Sequence, residues 1–172
     1  MNTNATNDLT NATSKQENSK VPPLERYFED YRAGEVFEFG ARLITAEEII
    51  QFASLYDPQP FHLDDEAAQK THFGRLAASG WMTASVVMRM MVDNYISRVS
   101  SLGSPGIDEL RWSKPVHAGD VLRVRVTILE TRASKSKPDR GLLYGLNEAY
   151  NQNDELVMSY KGWGFYKARG QA

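Results

Sequence analysis

Cysteine is absent from all 172 residues. Disulfides, thiolate zinc sites and cysteine nucleophiles are therefore excluded together. Charge of one sign is also missing in excess: 20 Lys and Arg stand against 22 Asp and Glu, a formal net charge of -2. Nothing in that balance draws the chain as a whole to nucleic acid or to an anionic membrane. Long apolar runs are lacking as well. The first residues hold none, so no signal peptide is read there, and the most apolar stretch, 76–92, is broken by Arg89 and by Ser and Thr, against a membrane span. Histidine is scarce. His62, His72 and His117 are the three, at spacings that match no familiar zinc motif, so neither metal nor cofactor is expected. No Gly-x-Ser-x-Gly elbow, Walker loop or Gly-x-Gly-x-x-Gly turn is present. The remaining expectation is a cytoplasmic chain, long enough for one domain with a substantial core.

Residues 1–22 are rich in Asn, Thr and Ser and are expected to form a disordered tail, because such a segment buries too little to offset its ordering entropy. A single domain is expected over 23–169. Within it, 35–44 alternates, with Phe37, Phe39, Ala41 and Leu43 on one predicted face. Thr45 followed by Glu48 reads as a capping box opening a helix, whose stripe is Ile49, Phe52, Ala53 and Tyr56. Pro58 should stop that helix at Asp57. A second, long helix is predicted from Gly80 to about Arg98 with Ser79 as its N-cap. It is apolar around much of its circumference, so other structure must wrap it. Strand patterns follow at 107–113, 121–131, 141–150 and 155–167, with a turn at Asn151–Asp154. The sum is an α+β domain, an antiparallel sheet packed on one long helix.

The stretch "DPQPFH" (57–62) holds an acid and an imidazole with two prolines between them. Pro58 and Pro60 restrict φ at two of the four intervening positions, so holding the two side chains together loses less entropy. Two readings stand on the residues alone. Either Asp57 and His62 form a pre-organised acid–base pair, or the stretch is a helix stop with Asp57 capping a turn and His62 an interior histidine. Ser79-Gly80 divides in the same way: an ordinary N-cap with a glycine for packing, or an anion-binding helix start whose Gly80 amide serves as an oxyanion donor. His72 and His117 read as structural or solvated. Trp112, Trp163, Phe165 and Tyr166 read as strand aromatics serving packing.

Three segments, "YDPQPFHLDDEAA" (56–68), "FGRLAASGWMTAS" (73–85) and "LRWSKPVHAGDVL" (110–122), occur in the order and at about the spacing of one family. In them the chain resembles the MaoC-like dehydratases, which include the (R)-specific enoyl-CoA hydratases, over about residues 24–168. The resemblance implies a hot-dog fold, with the sheet wrapped around a long central helix, and reversible addition of water to a 2-enoyl-CoA. It implies Asp57 and His62 as the catalytic pair, the Gly80 amide polarising the thioester carbonyl, and at least a homodimer with the acyl pocket at the subunit interface. CoA enters as part of the substrate, and neither nucleic acid nor membrane is a partner. Three positions depart from the commoner pattern: Gln59 stands for Asn, Ser79 for His, and Met88 for a pocket-lining Ser. An acyl-CoA thioesterase on the same fold and a non-catalytic acyl-CoA-binding protein remain as alternatives.

The segment "RASKSKPDR" (132–140) carries Arg132, Lys135, Lys137 and Arg140 against Asp139. Such a run is either a solvated hairpin or, given a CoA substrate, a cationic contact for its phosphates. Arg132, Lys135, Lys137 and Ser79 are accordingly the candidate substrate-binding residues.

Overall fold

The computed structural model describes residues 19–170. Most of the expected tail, residues 1–18, lies outside that range; of the rest, the Ser19 and Val21 carbonyls accept from the Arg26 guanidinium at 3.2 and 2.8 Å. Single 3-10 turns at Pro23–Glu25 and Phe28–Asp30 lead into β1 (Val36–Leu43). Four helices follow: α1 (Ala46–Tyr56), α2 (Pro60–Leu63), α3 (Asp65–Gln69) and α4 (Gly80–Asn94). The chain then runs through β2 (Ile107–Trp112), β3 (Val121–Ala133), β4 (Arg140–Tyr150) and β5 (Leu156–Lys167). All pairings are antiparallel, in the order β1-β3-β4-β5-β2. This is the expected α+β arrangement.

The alternation of β3 decides which face is the core. Leu122, Val124, Val126 and Ile128 are fully buried, and α4 lies across them through Met82, Val87, Met90 and Met91. The opposite stripe of α4 is bare: Trp81, Met88 and Val92 are 58%, 45% and 42% exposed. Within one chain the helix is therefore covered on one side rather than all round. Among the described residues no helix is long and apolar enough to cross a membrane.

Tyr56 does not join the buried stripe of α1 with Ile49, Phe52 and Ala53; at the helix end, where the chain turns away, it is 72% exposed. Two further predicted details differ. Leu43 does not share a face with Phe37 and Phe39; it is 49% exposed. Between Phe39 and Arg42, β1 holds one residue more than β3, and a bulge of one residue reverses the side every later residue faces. Gly40 makes the bulge, with φ +98, and a Cβ there would lie 2.1 Å from Met90 Cε of α4. Gly40→Ala is expected to destabilise the fold by roughly 1–2 kcal/mol for the left-handed backbone alone, with Met90 displaced in addition; urea unfolding measures it. The second difference is the end of α4, at Asn94 rather than Arg98. Tyr95 leaves the helix to join an aromatic cluster, with ring centroids 5.0 Å from Phe37 and 6.3 Å from Tyr31. The Ser97 hydroxyl then accepts from the Val99 and Ser100 amides, closing a different turn.

Candidate active site

Helix α1 opens on the capping box: Thr45 Oγ1 accepts from Glu48 N at 3.2 Å, and the Glu48 carboxylate accepts from Thr45 N at 3.3 Å. It stops at Asp57, whose N–H still reaches Ala53 O at 2.9 Å. Pro58 ends one helix and Pro60 starts the next, at the first turn of α2, where a missing N–H costs nothing. The one short turn between them sets the Asp57 and His62 side chains toward each other. Asp57 Oδ2 lies 3.5 Å from His62 Nε2.

His62 is 5% exposed. Its Nδ1 is 2.7 Å from Ala77 O. A carbonyl only accepts, so Nδ1 carries the hydrogen and the opposite nitrogen, Nε2, is the one that faces Asp57. Phe61 meets the ring edge-on at 4.6 Å and Phe73 lies 6.0 Å away, which keeps one flank of the imidazole apolar.

Asp57 is held from both oxygens. Ser79 Oγ donates to Oδ2 at 2.7 Å and Gln59 Nε2 donates to Oδ1 at 2.7 Å. These two donors, Ser79 foremost, hold its carboxyl below its ordinary value; desolvation opposes them and the charge on His62 adds a smaller lowering. Both departures from the commoner pattern near this motif thus serve one carboxylate. The expectation that Ser79 contacts substrate meets a different geometry. Ser79 is 1% exposed, and its hydroxyl is committed to Asp57 while also accepting from Trp81 N at 3.3 Å.

Gly80 follows directly, as the first residue of α4, so its N–H has no intrahelical acceptor. A Cβ at this position would fall 2.6 Å from the Trp112 ring. Glycine is needed there for the close approach of β2. Trp81 packs edge-on against the same ring at 5.3 Å.

The structure does not bring the cationic hairpin to this group within one chain. Trp112, over Gly80, pairs with Met158, which pairs with Ala149. Arg140 and Lys167 pair at the far end of the sheet. Ala149 lies nine residue steps along β4 from Arg140, about 30 Å. Arg132 lies instead over the Trp163 ring at 4.4 Å, and Asp139 binds Arg140 through both oxygens. Lys135 lines a shallow groove on the hairpin itself with Phe165, and the Lys137 backbone N–H donates to Ser134 Oγ at 3.1 Å.

Of the two readings the sequence left for His117, structural or solvated, the structure selects the first. His117 is buried, and its Nδ1 is 2.9 Å from Leu76 O. Residues 76–79 form an extended segment between two supports. On one side it meets His62 through Ala77 O; on the other, Ala78 N donates to Val116 O at 2.7 Å and His117 grips Leu76 O. The same segment delivers Ser79 to Asp57. Asp120 locks the His117 turn by accepting from its N–H at 2.8 Å. Displacement of this segment is expected to misplace both dyad members, and small misplacements cost about tenfold to a hundredfold in rate. His117→Leu should therefore lower kcat by about tenfold with KM little changed, while His117→Asn, which keeps a donor near the Nδ1 position, should restore it. Steady-state kinetics and the nitrogen chemical shifts of His62 check this. His72 is exposed, with its ring on Phe73 at 4.0 Å, and takes no part.

A carboxylate kept ionised, an imidazole whose Nδ1 hydrogen is fixed by a carbonyl and a helix-start amide without an intrahelical acceptor thus adjoin one another. Together they can accept a proton, return it and stabilise a developing oxyanion.

Residues 30–144 match the family model described as MaoC like domain. The crystal structure of a MaoC-like dehydratase from Rhodospirillum rubrum superposes with a TM-score of 0.79 at 37% identity, covering 85% of this chain and 99% of that one. Mesaconyl-CoA hydratase from Cereibacter sphaeroides is 29% identical over 150 residues, 86% of this chain but 43% of its own length. The (R)-specific enoyl-CoA hydratase of Rhodospirillum rubrum is 29% identical over 104 residues, 59% of this chain and 69% of the relative.

Proposed function

The chain belongs to the MaoC-like dehydratase family, and its fold is the hot-dog fold; on that footing we propose that it adds water reversibly to 2-enoyl-CoA thioesters, giving 3-hydroxyacyl-CoA of R configuration. The observation that carries the reading is the approach of His62 Nε2 to Asp57 Oδ2, at 3.5 Å, beside the free start of α4. The relatives named as hydratases support the reaction class, and the (R)-specific relative supports the stereochemistry.

In this reading the ionised Asp57 orients a water by accepting one of its hydrogens. His62 Nε2 takes a proton from that water as its oxygen bonds to the β-carbon. The C=C electron pair moves toward the thioester, whose oxygen gains charge that the Gly80 N–H and the positive end of α4 stabilise. His62 then returns the proton to the α-carbon, leaving the dyad unchanged. Dehydration is the same path reversed.

We further propose a homodimer of single domains (23–169). Its support is the bare stripe of Trp81, Met88 and Val92 on α4 beside the open edge of β2, where Ile107 and Trp112 are 48% and 44% exposed. Sedimentation equilibrium reads the mass. The decisive experiment on function incubates the protein with short and medium 2-enoyl-CoAs and follows loss of conjugated enoyl absorbance, with thiol release recorded in parallel. Absorbance loss without thiol supports the hydratase. Thiol release assigns the chain to thioesterases, and tight binding without turnover assigns it to acyl-CoA-binding proteins.

A further inference from the structure

A cavity of about 180 Å³ lies between the C-terminal half of α4 and the inner face of β4 and β5. It exists because three strand positions lack side chains. Gly145 and Gly162 are cross-strand partners, and Gly164 lies opposite Leu143 on the same face. Glycine inside a strand weakens it and often marks the close approach of another molecule. Gly145 is the informative one. A Cβ there would meet nothing nearer than Asn147 Nδ2 at 3.7 Å, and its φ is not in the left-handed region. Neither packing nor backbone conformation requires glycine at that point.

The walls are Met88, Met91, Ile107 and Leu143, but the floor is polar. Asn147 and Tyr160 are directly opposed on β4 and β5 and are 5% and 8% exposed. Their partners are poor for groups so deeply buried. Asn147 Nδ2 reaches Gly145 O at 3.4 Å, near the outer limit of a hydrogen bond, and the Tyr160 hydroxyl donates to the Met91 thioether at 3.1 Å. Burial alone pushes the Tyr160 phenol up to about 12. A buried donor this poorly matched forfeits much of what a good hydrogen bond would return. No Lys, Arg or His is among the lining residues, so a carboxylate entering the cavity would be desolvated without a counter-ion.

Helix α4 and strand β2 both run from the dyad to this cavity. Gly80 and Trp112 stand at one end, Met88 and Ile107 at the other. Met88 is eight residues past Gly80, about 12 Å along the helix, within reach of a medium-length acyl chain.

We infer that this cavity seats the distal part of the acyl group and selects an apolar chain bearing one uncharged oxygen, a hydroxyl or a ketone, bound by Asn147 and Tyr160. A plain alkyl end leaves both polar groups badly paired, and a carboxylate end lacks a cation. The word acyl rests on the proposed hydratase reaction; the chemistry of the cavity does not.

Two measurements test it, on the full chain. First, hexan-1-ol, hexan-2-one and hexanoate are titrated into nitrogen-15-labelled protein while the Asn147 side-chain amide is observed. The alcohol and the ketone should shift that resonance and hexanoate should not. Second, kcat/KM is compared for 2-enoyl-CoAs of matched medium length ending in methyl, hydroxyl or carboxylate. The hydroxyl chain should be preferred by about tenfold, the worth of one well-made buried hydrogen bond. Asn147→Leu and Tyr160→Phe should each cut that preference while turnover of the methyl-ended chain persists, which separates lost selectivity from misfolding. An Asn147 resonance silent to alcohol and ketone, or an unchanged preference in both variants, overturns the inference and leaves the hydratase standing. A shift with the alcohol but no turnover of any enoyl-CoA overturns the acyl assignment together with the proposed reaction.

Discussion

Asp57→Asn is expected to lower kcat for enoyl-CoA hydration by between about a hundredfold and ten-thousandfold, the range that a positioned proton-transfer group supplies. Asn keeps the shape of the side chain, so the loss isolates the charge and the acceptor capacity. Both oxygens of Asp57 now accept, from Ser79 and from Gln59. An amide in its place presents one NH₂ group, which repels one of those donors, and removes the anion that faces His62 Nε2 at 3.5 Å. The initial rate of enoyl absorbance loss reads the effect, with near-ultraviolet circular dichroism confirming the fold. A variant within tenfold of wild type would remove Asp57 from the chemistry. The pH profile gives a second, independent reading. Because Ser79 is the largest cause holding the Asp57 carboxyl below its ordinary value, the carboxylate stays ionised across the neutral range and its acid limb lies low. Ser79→Ala should move that limb to higher pH and leave the basic limb in place. An acid limb that does not move would mean that another group sets it.

The Asp57–His62 pairing was legible in the sequence because it is local. Four residues separate the two, and prolines placed to stop one helix and begin another leave the turn little choice. The capping box at Thr45 and Glu48 and the alternation of β3 were legible for the same reason, each resting on neighbours within a few residues. What escaped depends on elements meeting far along the chain. Leu43 lies on the wrong face because Gly40 yields to Met90 of α4, fifty residues away. The end of α4 carries no glycine or proline; it is set by Tyr95 joining aromatics of β1 and the N-terminal turns. For His117 the sequence left structural and solvated readings both open, because its partner is a backbone carbonyl, which no side-chain pattern announces. The cationic run at 132–140 was read correctly as a hairpin. Its distance from the dyad follows from strand register alone.

Gly80→Ala is expected to damage stability and turnover together, by a route that leaves the proposed oxyanion donor chemically intact. The substitution keeps the backbone N–H and raises helix propensity, so on local grounds it should be harmless. The obstacle is Trp112. A Cβ at Gly80 would stand 2.6, 2.7 and 2.9 Å from three atoms of the indole, closer than packed atoms tolerate. The ring, packed edge-on by Trp81 at 5.3 Å, must shift, or the first turn of α4 must move away from β2. Overpacking of this kind costs about 1–3 kcal/mol. Movement of the helix start is worse for chemistry, since Ser79 holds Asp57 from that same turn, and a displacement of about 1 Å can cost up to about a hundredfold in rate. Adding Trp112→Ala vacates the space and should recover part of the stability lost in Gly80→Ala. Recovery of turnover along with it would place the defect in the position of the helix start. Stability recovered without turnover would mean that the Trp112 ring itself helps to exclude water from the site. A Gly80→Ala protein that is destabilised yet turns over normally would show that the α4 amide is not where the thioester oxygen sits, and the oxyanion role would fall.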